Sequence, residues 1–528
     1  MTEEVWWKRG IVYQIYPRSF QDSDGDGIGD LKGIRSRLDY LQWLGVDAIW
    51  ISPIFVSPMA DFGYDVADYC AIEPVFGTME DFDALIADVH ARGMKLILDF
   101  VPNHTSEQHP WFLESRSSRT NPKRDWYIWH DPAPDGGPPN NWVAFFGGSG
   151  WEWDEKTGQY YYHAYLREQP DLNWRNPAVR AAMFNVMRFW LDRGVDGFRV
   201  DVMWHLIKDA EFRDNPPNPD YRSGLPEVAS LVAFYSTDRP EVHEVVREMR
   251  AVTDEYDERI LIGEIYLPID RLVTYYGEHL DEAQLPFNFQ LVEDGWDAEE
   301  IWNSLNDYEA ALPNGGWPNW VLSNHDKPRV ATRIGRPQAR VAMMLLLTAR
   351  GTPTLYYGDE IAMENVAIPE QHVQDPWQTS EPGDFGRDPQ RTPMQWEPRP
   401  GSGFTSGAPW LPIAPDAADY CVARESGDPA SMLSLTRRLI ELRRAHPALS
   451  VGRYAALGRD GDVIAFLREH EGERFAVVLN LGAKQRCFVL PDGVAGTVTL
   501  STLDGREDEA AGGALDLRGD EGLLIRLG

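Results

Sequence analysis

Four short apolar runs in this chain each end in residues that could do chemistry. Lys95–Phe100 leads into Val101-Pro102-Asn103-His104, and Gly197-Phe198-Arg199-Val200 into Asp201. Ile260-Leu261-Ile262-Gly263 leads into Glu264, and Trp320-Val321-Leu322 into Ser323-Asn324-His325-Asp326. Any one of these acids alone could be a helix N-cap or a solvated strand end. Together they make the set that glycoside hydrolysis needs. One carboxylate attacks or stabilises the oxocarbenium-like centre, and a second, protonated, helps the leaving oxygen depart. In the retaining version the two lie about 5 Å apart. A third carboxylate nearby raises the pKa of the acid by like-charge repulsion.

These groups are far apart in sequence, so the fold has to bring strand ends together. Short apolar strands alternate with amphipathic helices, the pattern of parallel α/β folds. The spacing predicts strands at Ile11–Tyr16, Ala48–Ile51, Lys95–Phe100, Gly197–Val200, Ile260–Gly263, Leu285–Phe289, Trp320–Leu322 and Thr354–Tyr357. Leu31, Ile34, Leu38, Leu41 and Leu44 recur at helical spacing up to Gly45. Thr78 is placed to cap a helix carrying Phe82, Leu85, Ile86 and Val89, and another helix runs around Val179–Trp190. Eight strands, most followed by a helix, predict a (β/α)8 TIM barrel, in which all strand ends converge at one mouth. No glycine-rich phosphate fingerprint follows the first strand, as a doubly wound open sheet would need.

Residues 1–104 and 177–450 are read as the two parts of the catalytic barrel. Residues 105–176, rich in Trp, Pro, Gly and Asn, are read as a subdomain inserted after the third strand. A second, lid-like insert spans 204–240 and contains Asn215-Pro216-Pro217-Asn218-Pro219. After the helix Met432–Ala445 the pattern changes to short alternating runs, and residues 451–528 are read as an all-β sandwich domain.

Asp22-Ser23-Asp24-Gly25-Asp26-Gly27-Ile28-Gly29-Asp30 places acids at alternate positions in a glycine-rich loop. Asp22, Asp24, Asp26 and Asp30, with the Ile28 carbonyl, suit oxygen coordination of calcium in a structural role. The loop begins like an EF-hand, but Gly33 stands where that motif needs a bidentate Glu.

The 528 residues carry 83 acidic and 50 basic side chains, a net charge of -33, which argues against nucleic acid and anionic membranes as partners. The 20 Trp and 21 Tyr suit a sugar substrate, whose apolar faces stack on aromatic planes. Cys70, Cys421 and Cys487 form neither a disulfide framework nor a zinc spacing, and Met1–Gly10 has no apolar signal core, so the cytoplasm is the expected compartment. No stretch is long and apolar enough to span a membrane. No feature of the sequence specifies an oligomeric state.

Asp99–His104, Gly197–Asp201, Gly263-Glu264 and Asn324-His325-Asp326, in that order, resemble the four signature regions of glycoside hydrolase family 13, the α-amylase superfamily. Gln169-Pro170-Asp171-Leu172-Asn173 resembles a fifth region of its oligo-1,6-glucosidase and α-glucosidase branch. Tyr13–Phe20 and Arg391-Thr392-Pro393-Met394-Gln395-Trp396 are similar to that branch too. The likeness extends from about Trp6 to Gly528. It implies a retaining, exo-acting α-glucosidase on short α-glucosides, with some transglucosylation. Asp201 would be the nucleophile, Glu264 the general acid/base, and Asp326 the stabiliser of the transition state. Arg199 would hold Asp201 ionised and oriented. His104 and His325 would bind the glucose, Tyr64 would stack on it, Gln169 would line the pocket, and Asp61 with Arg387 would close the non-reducing end. The related glucosidases hold calcium or magnesium in the acidic loop.

Val202, next after the nucleophile, tends in this family to accompany α-1,6 cleavage. A sucrose isomerase or trehalose synthase-type transglucosylase would use the same acids, but Arg333-Ile334-Gly335-Arg336 does not match the clamp motif of sucrose isomerases. Endo-action is disfavoured by the Asp61–Arg387 block. The family's non-catalytic transporter partners have lost catalytic acids and carry a membrane anchor, whereas this chain has all the acids and no anchor.

Overall fold

The computed structural model describes residues 5–381, 383 and 385–528. Eight parallel strands run around its centre: β1 (Val12–Ile15), β2 (Ala48–Ile51), β3 (Lys95–Phe100), β4 (Gly197–Val200), β5 (Ile260–Gly263), β6 (Leu285–Pro286), β7 (Asn319–Val321) and β8 (Thr352–Tyr356). β1 to β6 pair in chain order, β7 pairs with β8, and β8 returns to β1. A single parallel bridge, Asn288 to Trp320, joins β6 to β7 and closes the ring. This is a TIM barrel, with all eight strands where the apolar runs placed them. The sixth is shorter than predicted: after Pro286 the chain bonds through Phe287 N–H to the Gly263 carbonyl at 2.7 Å.

The period-two rule explains both layers of the core. Val12, Ala48, Trp50, Ile97, Ile260, Ile262 and Leu285 form one cluster inside the barrel. Tyr13, Ile49, Ile51, Leu96, Leu98, Phe198 and Leu261 belong to the layer under the helices. Because Ile97 faces inward, so does Asp99. Asp99 is the register partner of Arg199 on β4, and Arg199 that of Ile262 on β5. Charge thus enters the barrel at the layer next to its mouth. Gly197 is required on β4, because a Cβ there would meet the Ile260 carbonyl oxygen at 2.3 Å.

The main helices are α1 (Met79–Ala91), α2 (Pro177–Asp192), α3 (Val242–Thr253), α4 (Ala298–Ala311), α5 (Val330–Thr348) and α6 (Met432–Ala445). Thr78 and Asp81 form a reciprocal capping box on α1, and Asn176 caps α2 with Pro177 in its first turn. The Leu31–Leu44 periodicity is one apolar face but two helices, Leu31–Ser36 and Leu38–Leu44. The break falls at Arg37, whose side chain reaches back to Gln21 and over the Trp396 ring. Gly45 ends the second helix with φ 101°, a left-handed cap.

Between β3 and α2 lie a short helix, Pro110–Ser115, and a three-stranded antiparallel sheet with an aromatic core of Trp142, Trp151 and Tyr162. Residues 204–240 contain little regular structure beyond Glu227–Ser230. The C-terminal domain has a six-stranded antiparallel sheet and a two-stranded one. Val463, Ala465, Ala476 and Val478 from the larger sheet pack with Phe488, Leu515 and Leu517 from the smaller. The larger sheet's other face, with Ile464, Phe466, Phe475 and Val477, merges into the main core. Two fully buried arginines, Arg443 and Arg468, satisfy carbonyls just past the ends of two helices, Ala349 and Gly351 after α5 and Leu449 after α6.

Candidate active site

Arg199 is the centre of the constellation. It is fully buried, and its Nη1 donates to Asp99 Oδ1 at 2.9 Å and to Asp201 Oδ1 at 2.7 Å. Its Nη2 lies 2.7 Å from Glu264 Oε2, an ion pair without hydrogen-bond alignment. The same Glu264 oxygen accepts the Val202 N–H at 2.8 Å. Val202 delivers that N–H from a left-handed conformation, φ 39° and ψ 48°. For a β-branched residue this is backbone strain of about 1–3 kcal/mol, of the kind found at functional sites.

Burial raises the carboxyl of Asp201 well above its ordinary range, aided by the charge of Glu264, and raises that of Glu264, aided by Asp326 and Asp99, with Arg199 opposing both shifts. The pair is therefore built to hold one proton. Geometry favours Glu264 as its holder. Asp201 has the aligned bond from Arg199, whereas both cationic and amide contacts of Glu264 fall on Oε2 and leave Oε1 for the proton. Asp326 goes the other way. Burial opposes its ionisation, but His325, Arg387 and Arg391 hold it well below the usual carboxylate range. Arg391 Nη2 reaches its Oδ1 at 2.9 Å and Arg387 Nη1 at 3.3 Å.

The predicted sugar-binding side chains surround these acids. Gln14 Nε2 lies 2.8 Å from His325 Nδ1, so the proton sits on Nε2, which faces Tyr64 Oη at 2.6 Å and Asp326 Oδ2 at 3.2 Å. Tyr64 in turn donates to Asp99 Oδ2 at 3.1 Å. Asn103 Nδ2 faces His104 Nδ1 at 3.1 Å, and His104 Nε2 donates to the Tyr64 carbonyl. Behind Asn103 stands a buried pair, Lys208 with Asp171. Burial lowers the pKa of His104 to about 4 and that of His325 well below its ordinary value, so both are neutral hydrogen-bonding groups at neutral pH. Gln169 Nε2 lies 3.3 Å from Asp61 Oδ2, and Arg387 Nη2 donates to Asp61 Oδ1 at 2.6 Å.

This network surrounds a cavity of about 500 Å³. Asp61, Arg387, His104, His325 and Asp326 face it with Asp201 and Glu264, while Phe145, Phe146, Tyr165, Trp204, Tyr266, Trp377 and Phe385 supply an aromatic wall. The structure therefore brings together every predicted catalytic and sugar-facing residue, although Arg199 and Gln169 stand behind the surface. It also places Asp99, Asp375 and Arg391 among them, none of which stood out as site residues in the sequence. Asp99 had a usable signal, its inward parity with Ile97. Asp375 and the aromatic wall had none, because their loops have no periodicity.

The acidic loop is a separate feature. Asp22, Asp24 and Asp30 each offer an oxygen within 4.8 Å of the others. Asp26 does not join them: its Oδ1 accepts the Ile28 N–H at 2.7 Å. Backbone amides of Asp24, Gly25 and Gly27 orient the Asp22 carboxylate, and Thr405 donates to it as well. Three converging carboxylates fit a hard divalent cation.

The alpha-amylase catalytic-domain family model matches residues 14–452, and the chain belongs to that family. It is 43% identical over 503 residues to a probable alpha-glucosidase of Rhizobium meliloti, covering 92% of this chain and 91% of that one. It is 40% identical to an oligo-1,6-glucosidase of Parageobacillus thermoglucosidasius, covering 93% of each. Among solved structures it resembles the alpha-glucosyl transfer enzyme XgtA, with a TM-score of 0.95 and 39% identity over the whole of both chains. It also resembles the trehalulose synthase MutB of Pseudomonas mesoacidophila, with a TM-score of 0.91 and 36% identity over 99% of each chain.

Proposed function

We propose that this protein is a retaining, exo-acting α-glucosidase that removes terminal glucosyl residues from disaccharides and short oligosaccharides. The observation that carries the reading is the single buried guanidinium of Arg199 joining Asp201 to Glu264, in a cavity faced by the Asp61–Arg387 ion pair. Asp201, held ionised by Arg199, attacks the anomeric carbon as Glu264 gives its proton to the leaving oxygen. Glu264, now a base, takes a proton from water, which cleaves the glucosyl–Asp201 bond with net retention. Asp326 and the neutral His104 and His325 hold the sugar hydroxyls. Tyr64 stacks on the ring, and Asp61 with Arg387 receives its non-reducing end. Val202 lines the cavity beside the nucleophile, and we expect it to favour α-1,6 links by a pocket-shape difference of about 1–3 kcal/mol.

Transfer to a second sugar is the competing outcome of the same covalent intermediate. The likeness to XgtA and MutB supports it as a side reaction. We further propose that Asp22, Asp24 and Asp30 hold calcium or magnesium, which would brace the loop that follows β1. The three free cysteines fit a cytoplasmic enzyme. No helix among the described residues is long and apolar enough to cross a membrane.

The test is to incubate wild type and Asp201→Asn separately with isomaltose, maltose, trehalose and sucrose, following anomeric protons by NMR. Early α-glucose that mutarotates later, fastest from isomaltose and absent with Asp201→Asn, is expected. Isomerised disaccharide with little free glucose would make the protein a transferase. β-Glucose released first would rule out retention.

A further inference from the structure

Asp375 lies behind the cavity, not on it. Its side chain is fully buried, and both of its oxygens are committed. Oδ2 accepts the backbone N–H of Arg387 and, at 3.0 Å, its Nε. Oδ1 accepts Arg387 Nη2 at 2.8 Å and the Trp377 N–H at 3.2 Å. One carboxylate thus clamps the guanidinium edge-on and caps the short helix Pro376–Ser380, which carries Trp377. Arg387 spends its remaining donors on cavity-lining groups: Nη2 on Asp61 at 2.6 Å and Nη1 on Asp326 at 3.3 Å. Its guanidinium lies 4.9 Å from the Phe146 ring centre, and Trp377 packs on Phe145 and Phe146.

Three carboxylates therefore share one cation, and Asp375 is the one with no face toward a sugar. Planar, bidentate pairing fixes a guanidinium's orientation as well as its position. Without it, Arg387 would be held only by Asp61 and Asp326, the two groups that must also face the sugar. We propose that Asp375 is a positioning residue that fixes Arg387 across the closed end of the pocket and so sets how tightly the terminal glucosyl unit is bound. This rests on the glucoside-pocket reading above.

Asp375→Asn separates the two tasks of the side chain. It keeps an oxygen to cap Trp377 but turns an NH2 toward the donors of Arg387. Asp375→Ser, which keeps a capping hydroxyl and removes the carboxylate, carries the same expectation should the first variant not fold. The KM for p-nitrophenyl α-glucoside should rise about tenfold or more with kcat within about threefold, the signature of lost ground-state binding. The Kd of 1-deoxynojirimycin, measured by calorimetry and independent of turnover, should rise in parallel. In an Arg387→Ala background, Asp375→Asn should add less than about twofold, because residues acting through one another are not additive. KM and Kd unchanged within about twofold, or effects that multiply in the double variant, would overturn the proposal. So would a fall in kcat and Tm with KM intact, the pattern of a purely structural residue. Wild type that binds deoxynojirimycin but turns over no glucoside would sink the hydrolase reading, while Kd still tests Asp375. Wild type that does neither would overturn both.

Discussion

Replacing Arg199 by lysine tests the hub of the site. Arginine reaches Asp99, Asp201 and Glu264 at 2.9, 2.7 and 2.7 Å from two nitrogens of one rigid plane. A lysine ammonium is a point charge on a flexible stem and can hold one of these carboxylates well, not three. A hydrogen bond to a charged group contributes about 1.5–3 kcal/mol. Losing two of the three contacts, each taken in the lower half of that range because the charge is retained, costs the transition state about 3–4 kcal/mol, so kcat should fall about 10²–10³-fold. The pH profile should move as well. Arg199 lowers the pKa of both Asp201 and Glu264. Weakening it raises both, and the acid limb (Asp201 ionising) and the alkaline limb (Glu264 deprotonating) both shift to higher pH. The assay is kcat and kcat/KM for isomaltose, whose leaving oxygen needs the proton of Glu264, across both limbs, with circular dichroism to show a folded chain. A folded Arg199→Lys variant with kcat within tenfold of wild type and unmoved limbs would refute the reasoning.

Glu264→Gln should slow isomaltose hydrolysis about 10²–10⁴-fold, the usual contribution of a general acid. It should spare glucosylation from p-nitrophenyl α-glucoside, whose leaving group needs no proton, and abolish the alkaline limb; equal losses on both substrates would count against Glu264 as the acid. Chelation with EDTA should lower Tm, and calcium should restore it, because a ligand at 100 times its Kd stabilises by about 2.7 kcal/mol. The rate at 25 °C should not change, and a Tm indifferent to EDTA and calcium would remove the metal from the Asp22–Asp30 loop. The net charge of -33 repels itself, so Tm should rise as NaCl goes from 0.1 to 1 M and the Debye length shrinks from about 10 to about 3 Å. A Tm that falls over this range would show that attractive surface pairs outweigh the repulsion.

Much of this site was legible in the sequence, for a physical reason. Barrel strands are buried on both faces, so Ala48–Ile51 or Ile260–Gly263 reads as an unbroken apolar run, and the polar residues that follow such a run mark the mouth. That places Asp201, Glu264 and Asp326 without any structure. Asp99 and Arg199 were harder, because they sit inside the strands, where only inward parity distinguishes a hub from a stray charge. The aromatic wall and Asp375 were not legible. Phe145, Phe146, Trp377 and Asp375 come from loops with no period, and they meet only in space, with Asp375 and Phe146 on Arg387 and Trp377 packed on Phe145 and Phe146. The acidic loop was legible as a loop of alternating oxygens, but which acids converge depends on backbone turns. Asp26 follows the alternation and is still not among the three that converge, and its Oδ1 accepts the Ile28 N–H. The single helix expected from Leu31 to Leu44 failed similarly, because Arg37 is drawn out of the helical path by Gln21 and Trp396.

The central claim is that Asp201 becomes covalently glucosylated. The direct measurement is trapping with 5-fluoro-α-D-glucosyl fluoride, which lets the first step proceed and slows the second, followed by mass spectrometry of the intact chain and of its peptides. The account predicts a stoichiometric gain of one fluoroglucosyl group on the peptide containing Asp201, with loss of activity that returns as the label hydrolyses. A label on any other residue, or an active enzyme that never accumulates one, would contradict it.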